Sequence, residues 1–266
     1  MKSEQKKTNE YESNPFTLAV NATKRLFDTN RGWAIFLLVL GVIGLFTGNN
    51  RSANQPQGSS APVNTGDIST QNMIATIVFI VSLVAIFAIL VIVLAVYIQG
   101  IFSFVALQSE KGQKVTFSDA LTAVNKRFWR LLGAQLLAGV KIFGWSLLFL
   151  IPGIIAAFRY ALLSYVVMDE SAEKHSVKES HDRVKAITKS RLWEVVGVST
   201  TGIVPVFGGL FDTAGKAAQY NQLAKYHDKK LEKPAIHWLN YVMVVFLVFI
   251  LLAIIVIAAA VAYKNS

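Results

Sequence analysis

The chain contains no cysteine, which excludes disulfides and thiolate metal ligation. Its four histidines, His175, His181, His227 and His237, include no pair at i, i+4 spacing, so a structural zinc site is not expected either. Charge is sparse, at 16% of 266 residues, against ~25% in soluble domains. Catalytic signatures are missing as well: there is no Gly-x-Ser-x-Gly elbow and no His-Glu-x-x-His helix. The stretch from Gly209 to Lys216 fails as a phosphate loop, because five residues separate Gly209 from Gly215 and Ala217 stands where a magnesium-binding hydroxyl is needed. The expectation is a non-enzymatic protein with no cofactor and no metal.

What is abundant is apolar length. Hydrophobic residues make up 53% of the chain and the mean hydropathy is +0.46, which predicts an all-α, polytopic transmembrane helical bundle, one domain over 1–266, with about five to six membrane-embedded segments. The expected spans are 33–47, 74–98, 131–151, 153–168 and 238–263. The first is short for a hydrocarbon core of ~30 Å, so thinning or flanking turns must help it. The second lies within a longer uncharged run, whose remainder up to Leu107 is expected to pass onto the membrane surface. Pro152-Gly153 is a tight-turn signal that makes the third and fourth spans a helical hairpin. The last span has an aromatic at each end, Trp238 and Tyr263, where interfacial belts sit.

The basic residues set the orientation. Lysines and arginines crowd residues 1–32, 108–130 and 169–192, whereas Arg51 is alone in 47–72. The N terminus and the two later connectors are therefore expected in the cytoplasm, and the Asn/Gln/Ser/Pro/Gly-rich loop 48–72 outside and disordered. No signal peptide is evident, and the first span is expected to remain as an anchor. Segment 193–228 is broken by Pro205 and Gly208-Gly209. A re-entrant or buried hairpin keeps the basic residues from Lys216 to Lys233 inside, whereas a single crossing at 193–210 would leave them outside. The net charge of +10 is spread over these connectors as topology requires, so nucleic acid is not an expected partner.

Three stretches have helix starts and apolar stripes at helical spacing. Asn14-Pro15 reads as N-cap and N1 of an amphipathic helix over 14–31 that carries Phe16, Val20 and Phe27. Thr116 with Asp119, and Ser176 with Glu179, make capping boxes ahead of Val124 and Leu131 and ahead of Val184 and Ile187. Such helices lie in the headgroup region with basic groups toward anionic lipid, or present a surface to a membrane-protein partner. The sequence is silent on oligomeric state.

Lys141 and Arg159 fall inside expected spans, where a cation costs ~2.5–3.5 kcal/mol and must find water, a partner or a role. Asp212 is the carboxylate in the middle of the embedded candidate segment 193–228, with Lys216 one turn further on. Asp212 is thus the expected counter-ion of Lys141 or Arg159, and these four are the candidate intramembrane site. The alternatives are register-fixing pairs or snorkelling, and a charged cavity for a lipid phosphate or another anion. Adjacent Asp169-Glu170 suits ion pairing or capping at a basic interface better than acid–base chemistry.

Three passages together resemble the membrane domain of glycerophosphoryl diester phosphodiesterases and its DUF975 and YciC-like relatives. They are Gly100 followed by Glu110-Lys111-Gly112-Gln113-Lys114-Val115-Thr116-Phe117; Ile151-Pro152-Gly153-Ile154-Ile155 with Arg159-Tyr160-Ala161-Leu162, Tyr165-Val166 and Asp169-Glu170; and Lys189-Ser190-Arg191-Leu192-Trp193. Ser190 departs from that family's glycine, the residues before Tyr220 are more polar than its pattern, and the segment 238–263 is an addition to it. The resemblance implies a membrane bundle in a prokaryotic cytoplasmic membrane. It does not imply phosphodiesterase chemistry, which in that family belongs to a separate soluble barrel. The functional expectation is membrane organisation, lipid handling or partner scaffolding, and the alternative is a transporter or channel for an anionic or lipid-like substrate.

Overall fold

A computed structural model describes residues 11–48, 70–169 and 175–264. Among these the chain is helical with no strand, an all-α bundle as expected. The order is α1 (Pro15–Gly48), α2 (Thr70–Glu110), α3 (Phe117–Leu148), α4 (Leu150–Tyr160), α5 (Leu163–Met168), α6 (Val177–Thr188), α7 (Leu192–Thr200), a 3-10 turn (Thr201–Ile203), α8 (Gly208–Asp228) and α9 (Trp238–Lys264). Five segments are long and apolar enough to cross a membrane: Pro15–Gly44, Ile74–Glu110, Phe117–Leu148, Leu150–Met168 and Trp238–Lys264. The chain is a multi-pass membrane protein. The loop expected at 48–72 falls almost wholly outside the described residues.

The helix starts have the expected caps. Asn14 Oδ1 accepts from the Phe16 and Thr17 amides at 3.0 and 3.2 Å, with Pro15 at the first helical position, where its missing N–H costs nothing. Both capping boxes close reciprocally, Thr116 with Asp119 and Ser176 with Glu179. The stripes of α3 and α6 pack inside the bundle; on α1 the buried face is offset from the expected one, since Val20 is 50% exposed and Phe16 and Phe27 are half-buried. Leu18, Ala22 and Leu26 of α1, Val124 and Leu131 of α3, and Val184 and Ile187 of α6 join one buried core with Val105, Leu107, Leu162, Val166, Leu210 and Tyr220. An apolar stripe packs as readily on neighbouring helices as on acyl chains, and here the bundle supplies the partner.

This changes three boundaries. The amphipathic helix at 14–31 and the span at 33–47 are one helix, α1, bent at Asn30 (φ −130°, ψ 56°). The run beyond residue 98 does not lie on the membrane surface; α2 continues uninterrupted to Glu110, and Ile101, Phe104, Val105 and Leu107 are buried. Gly100 permits this, since a Cβ there would meet Leu131 at 2.7 Å and Val124 at 3.3 Å across the α2–α3 contact. The α3–α4 hairpin turns at Phe149, in extended conformation (φ −156°, ψ 139°), rather than at Pro152-Gly153. Pro152 sits in the first turn of α4, where proline is tolerated, and Gly153 lets α4 close onto Ser146 of α3, whose side chain occupies the space of a Cβ.

The broken segment is a helix–turn–helix, α7 to α8, that reverses over residues 204–207, with Val206 at φ 66° and the Gly208 position pressed against the Gly202 carbonyl. Gly41 of α1 meets the Val206 carbonyl at this turn. The last helix is tied at its base: Asn240 Nδ2 donates to the Ser13 carbonyl at 2.7 Å, and its side chain fills the space beside Gly197.

The bend in α1 is fastened by one side chain. Asn30 Nδ2 donates to Ser109 Oγ at 2.7 Å and to the Gln113 carbonyl at 2.9 Å, while its Oδ1 accepts from the Val115 amide at 2.7 Å. Replacing Asn30 by alanine strips partners from buried groups and should lower stability by about 1–3 kcal/mol. The measurement is the unfolding midpoint in detergent, with Asn21→Ala on the exposed face of α1 near wild type.

Candidate functional site

The four expected intramembrane charges do not form one cluster. Asp212 pairs within α8, with Lys216 Nζ 2.7 Å from Oδ1, and not with Lys141 or Arg159. One helical turn already brings the two groups together, so Asp212 is satisfied locally. Lys141 stands over the Tyr160 ring at 5.7 Å and its Nζ lies 3.3 Å from His181 Nδ1. Arg159 is exposed and has no ion-pair partner among the described residues.

Asp212 and Lys216 do share a cavity with Tyr165. A space of about 450 Å³ opens between α2, α5 and α8, lined by Gln99, Phe102, Ser103, Tyr165, Asp212 and Lys216, among others. Tyr165 donates its hydroxyl to the Thr213 carbonyl at 3.0 Å, and Ser103 donates to Ser164 at 2.9 Å. Asp169 is buried at the end of α5 and accepts from the Tyr220 hydroxyl at 2.8 Å, with Lys111 Nζ at 3.4 Å. Burial and the neighbouring Asp169 carboxylate push the Tyr220 hydroxyl up, so it remains a donor. This triad ties α2, α5 and α8 together and is structural. Glu170 lies outside the described residues.

His181 is fully enclosed where α6 crosses the hairpin. Its Nε2 lies 3.0 Å from the Ala134 carbonyl and its ring meets Tyr160 edge-on at 4.9 Å. The Lys141 ammonium can only donate, so Nδ1 is the acceptor and Nε2 carries the proton: the ring is neutral. Desolvation, then the Lys141 and Lys185 charges, hold its pKa below the usual histidine range, against the hydrogen bond to the Ala134 carbonyl and, more weakly, the Asp182 charge. The unfolded chain therefore binds a proton more readily than the folded one. Stability from this site is complete above ~6.5, the ordinary histidine pKa, and is lost as pH falls through the lower folded value. His181→Gln keeps both hydrogen bonds without titrating. Wild type should lose unfolding midpoint between pH 7 and pH 5, and the variant should lose less.

A second polar cluster lies at the base of α7 and was not visible in the spacing. Glu194, buried, accepts from the Tyr11 hydroxyl, from Ser13 Oγ at 2.8 Å and from Arg191 Nη1 at 3.0 Å, and Arg191 also stacks over the Tyr11 ring at 5.5 Å. The pair is local in sequence, but its partners come from more than 180 residues away, and no periodic signal links them.

A further site sits beside the α1 bend. Asn30 fastens the α2–α3 turn under α1, and the two frame a depression of about 620 Å³ walled by Arg31, Trp33, Phe36, Lys114, Thr116 and Phe117, among others. Trp33 stacks on Phe117 (5.8 Å, 20°), meets Phe102 edge-on at 6.3 Å, and donates Nε1 to the Val115 carbonyl at 3.2 Å. Arg31 and Lys114 are exposed, and neither has an ion-pair partner among the described residues. Arg25 nearby is instead engaged bidentately by Glu110, at 2.9 and 2.8 Å. The site combines these two cations with an aromatic wall of Trp33, Phe36 and Phe117. Arg31 and Lys114 lie on separate connectors in the sequence, and only the Asn30 bend joins them.

No curated protein and no solved structure matches the chain. A family model matches residues 14–180, well over half of its length. The chain belongs to that family, described as a family of unknown function, DUF7544.

Proposed function

We propose that this DUF7544 member is a non-enzymatic integral membrane protein that binds and organises anionic phospholipid at the cytoplasmic face of a prokaryotic plasma membrane. The observation that carries the reading is the Arg31–Lys114 depression, where two cations without an ion-pair partner among the described residues line the same space as stacked Trp33 and Phe117. Guanidinium and ammonium groups meet a phosphate, indole and phenyl rings sit at the headgroup level, and the exposed apolar face of α1 continues toward the acyl chains. Because basic residues concentrate on the same connectors, the surrounding potential also favours an anionic headgroup. The resemblance of the Pro152-Gly153 and Arg159-Tyr160 passage to phosphodiesterase membrane domains supports the same reading, since those domains carry no chemistry of their own.

Arg31→Gln with Lys114→Gln should lower retention of phosphatidylglycerol by about ten- to thirtyfold, at ~1 kcal/mol per cation, and leave phosphatidylcholine retention unchanged. Native mass spectrometry of purified protein across a lipid titration reads this. Unchanged retention of both lipids would refute the reading.

A second reading, transport of an anionic or lipid-like substrate, is favoured by the Asp212–Lys216 cavity beside the broken α7–α8 segment. The pair neutralises itself, which suits a zwitterionic headgroup better than a free anion. Asp212→Asn should abolish flux in sealed vesicles if this reading holds and leave it unchanged if it does not.

A further inference from the structure

The α3–α4 hairpin is long enough end to end to cross a bilayer twice, yet most of that length is not available to lipid. Ala120, Val124, Leu131 and Ala134 of α3 are buried in the bundle, and so are Leu162 to Met168 beyond α4. The level at which the hairpin leaves the bundle is marked by α6. That helix exposes Lys178, Glu179 and Asp182, which keep it out of hydrocarbon. It lies across both legs: His181 contacts the Ala134 carbonyl and Lys141 on α3 and the Tyr160 ring on α4, and Val177 packs against Gly133. Lys141 and Tyr160 are therefore at the depth of a charged surface helix, and Arg159 is adjacent.

From that level the legs are short. Eight residues lead from Lys141 to the turn at Phe149, and ten from Phe149 to Arg159, or about 12 and 15 Å at ~1.5 Å per residue. The hydrocarbon core is ~30 Å thick, so the tip reaches the middle of the bilayer and stops there. Its composition agrees. No charge lies between Lys141 and Arg159, and Phe143, Leu147, Phe149 and Ile151 are 65%, 71%, 73% and 71% exposed. A hairpin that emerged on the far side would present Leu147-Leu148-Phe149-Leu150-Ile151 to water.

The backbone is also prepared for a dry turn. The Phe149 amide donates to the Trp145 carbonyl and the Gly153 amide to the Phe149 carbonyl, while Pro152 has no N–H to satisfy, which removes one of the orphan donors a helix start normally leaves.

We infer that the α3–α4 hairpin is a single-leaflet wedge: its apolar tip occupies the acyl region of the leaflet facing the basic connectors, with Lys141 and Arg159 at phosphate depth, and it does not cross the membrane. Both ends of the hairpin stay on one side, so the connector orientation is unaltered. The wedge adds volume to one leaflet alone, a physical route to the membrane organisation proposed above, although it stands independently of the Arg31–Lys114 depression.

The native chain has no cysteine, so single cysteines report cleanly. Full-length Phe143→Cys, Leu148→Cys and Ile151→Cys, labelled with bimane in detergent and reconstituted, should be quenched most by lipids brominated near the chain ends at Leu148 and Ile151, and by bromines nearer the headgroup at Phe143. Unlabelled Leu148→Cys in sealed vesicles should resist impermeant maleimide from both sides, whereas Ser118→Cys reacts from one. Reaction of Leu148→Cys from the side opposite Ser118 would show a full crossing, and reaction from the same side a tip left at the surface; either overturns the wedge. Phosphatidylglycerol retention is the separate readout for the depression, so the two readings fail independently.

Discussion

One side-chain amide sets the shape of the depression between α1 and the α2–α3 turn. Asn30 carries both donors and acceptor on a single planar group, and it spends all of them on the turn between α2 and α3, through Ser109, Gln113 and Val115. The helix it belongs to cannot remain straight, because Asn30 itself leaves helical geometry. The bend lets residues before it pack as a core helix, with Leu18, Ala22 and Leu26 buried, and residues after it turn an exposed apolar face outward, with Phe36, Val39, Leu40 and Ile43 open. Aspartate would lose the donors and leucine would lose everything, so the arrangement is specific to an amide. Everything near the bend follows from that: the Trp33 indole reaches the Val115 carbonyl, and Arg31 and Lys114 arrive on the same rim.

Beside the apolar core, a different device recurs in the bundle, charge neutralised at close range. Arg191 and Glu194 sit one helical turn apart, as do Asp212 and Lys216, and Asp169 takes a hydroxyl from Tyr220. A partner on the same helix is present before tertiary packing begins, so the desolvation of each charge is offset without depending on distant geometry. Glu194 then adds Tyr11 and Ser13, and Ser13 in turn receives the His237 amide and, through its carbonyl, Asn240. Residues 11–13 and the start of α9 are thus fastened to the start of α7.

What could be read from the sequence was what is local. Capping boxes at Thr116 and Ser176 depend on residues three apart, and the apolar runs depend on composition, so helices and their starts were legible. The destination of an apolar stripe was not. Val124 and Leu131 repeat as a lipid-facing stripe would, and only the Gly100 face of α2 makes them core. Charge pairing failed for the same reason. Composition pairs Asp212 with the intramembrane cations Lys141 or Arg159, whereas the nearer Lys216 answers it across one turn. The Pro152-Gly153 signal correctly marked a reversal but placed it three residues late, because proline is equally at home in the first turn of the returning helix. His181 gave no signal, since its partners, Ala134 and Lys141, lie 40 or more residues away.

Exposure of apolar surface then divides the molecule by what must surround it. Along α2, Ile77, Phe79, Leu83, Phe87 and Leu90 are open on every face, and along α9 only Asn240 is buried. Over residues 74–92 of α2, and over most of α9 beyond Asn240, no side is enclosed by protein, so both stretches require acyl chains around them, as a crossing helix does. The hairpin tip is equally bare, but Lys141 and Arg159 bracket it within the depth of one leaflet. The same test of exposure therefore yields two kinds of membrane element, distinguished by where the nearest charge lies. In an insertion dominated by hydrophobic area, length alone would have made them alike; it is the cost of dragging Lys141, and the charged α6 bound to it, into hydrocarbon that limits the hairpin's depth.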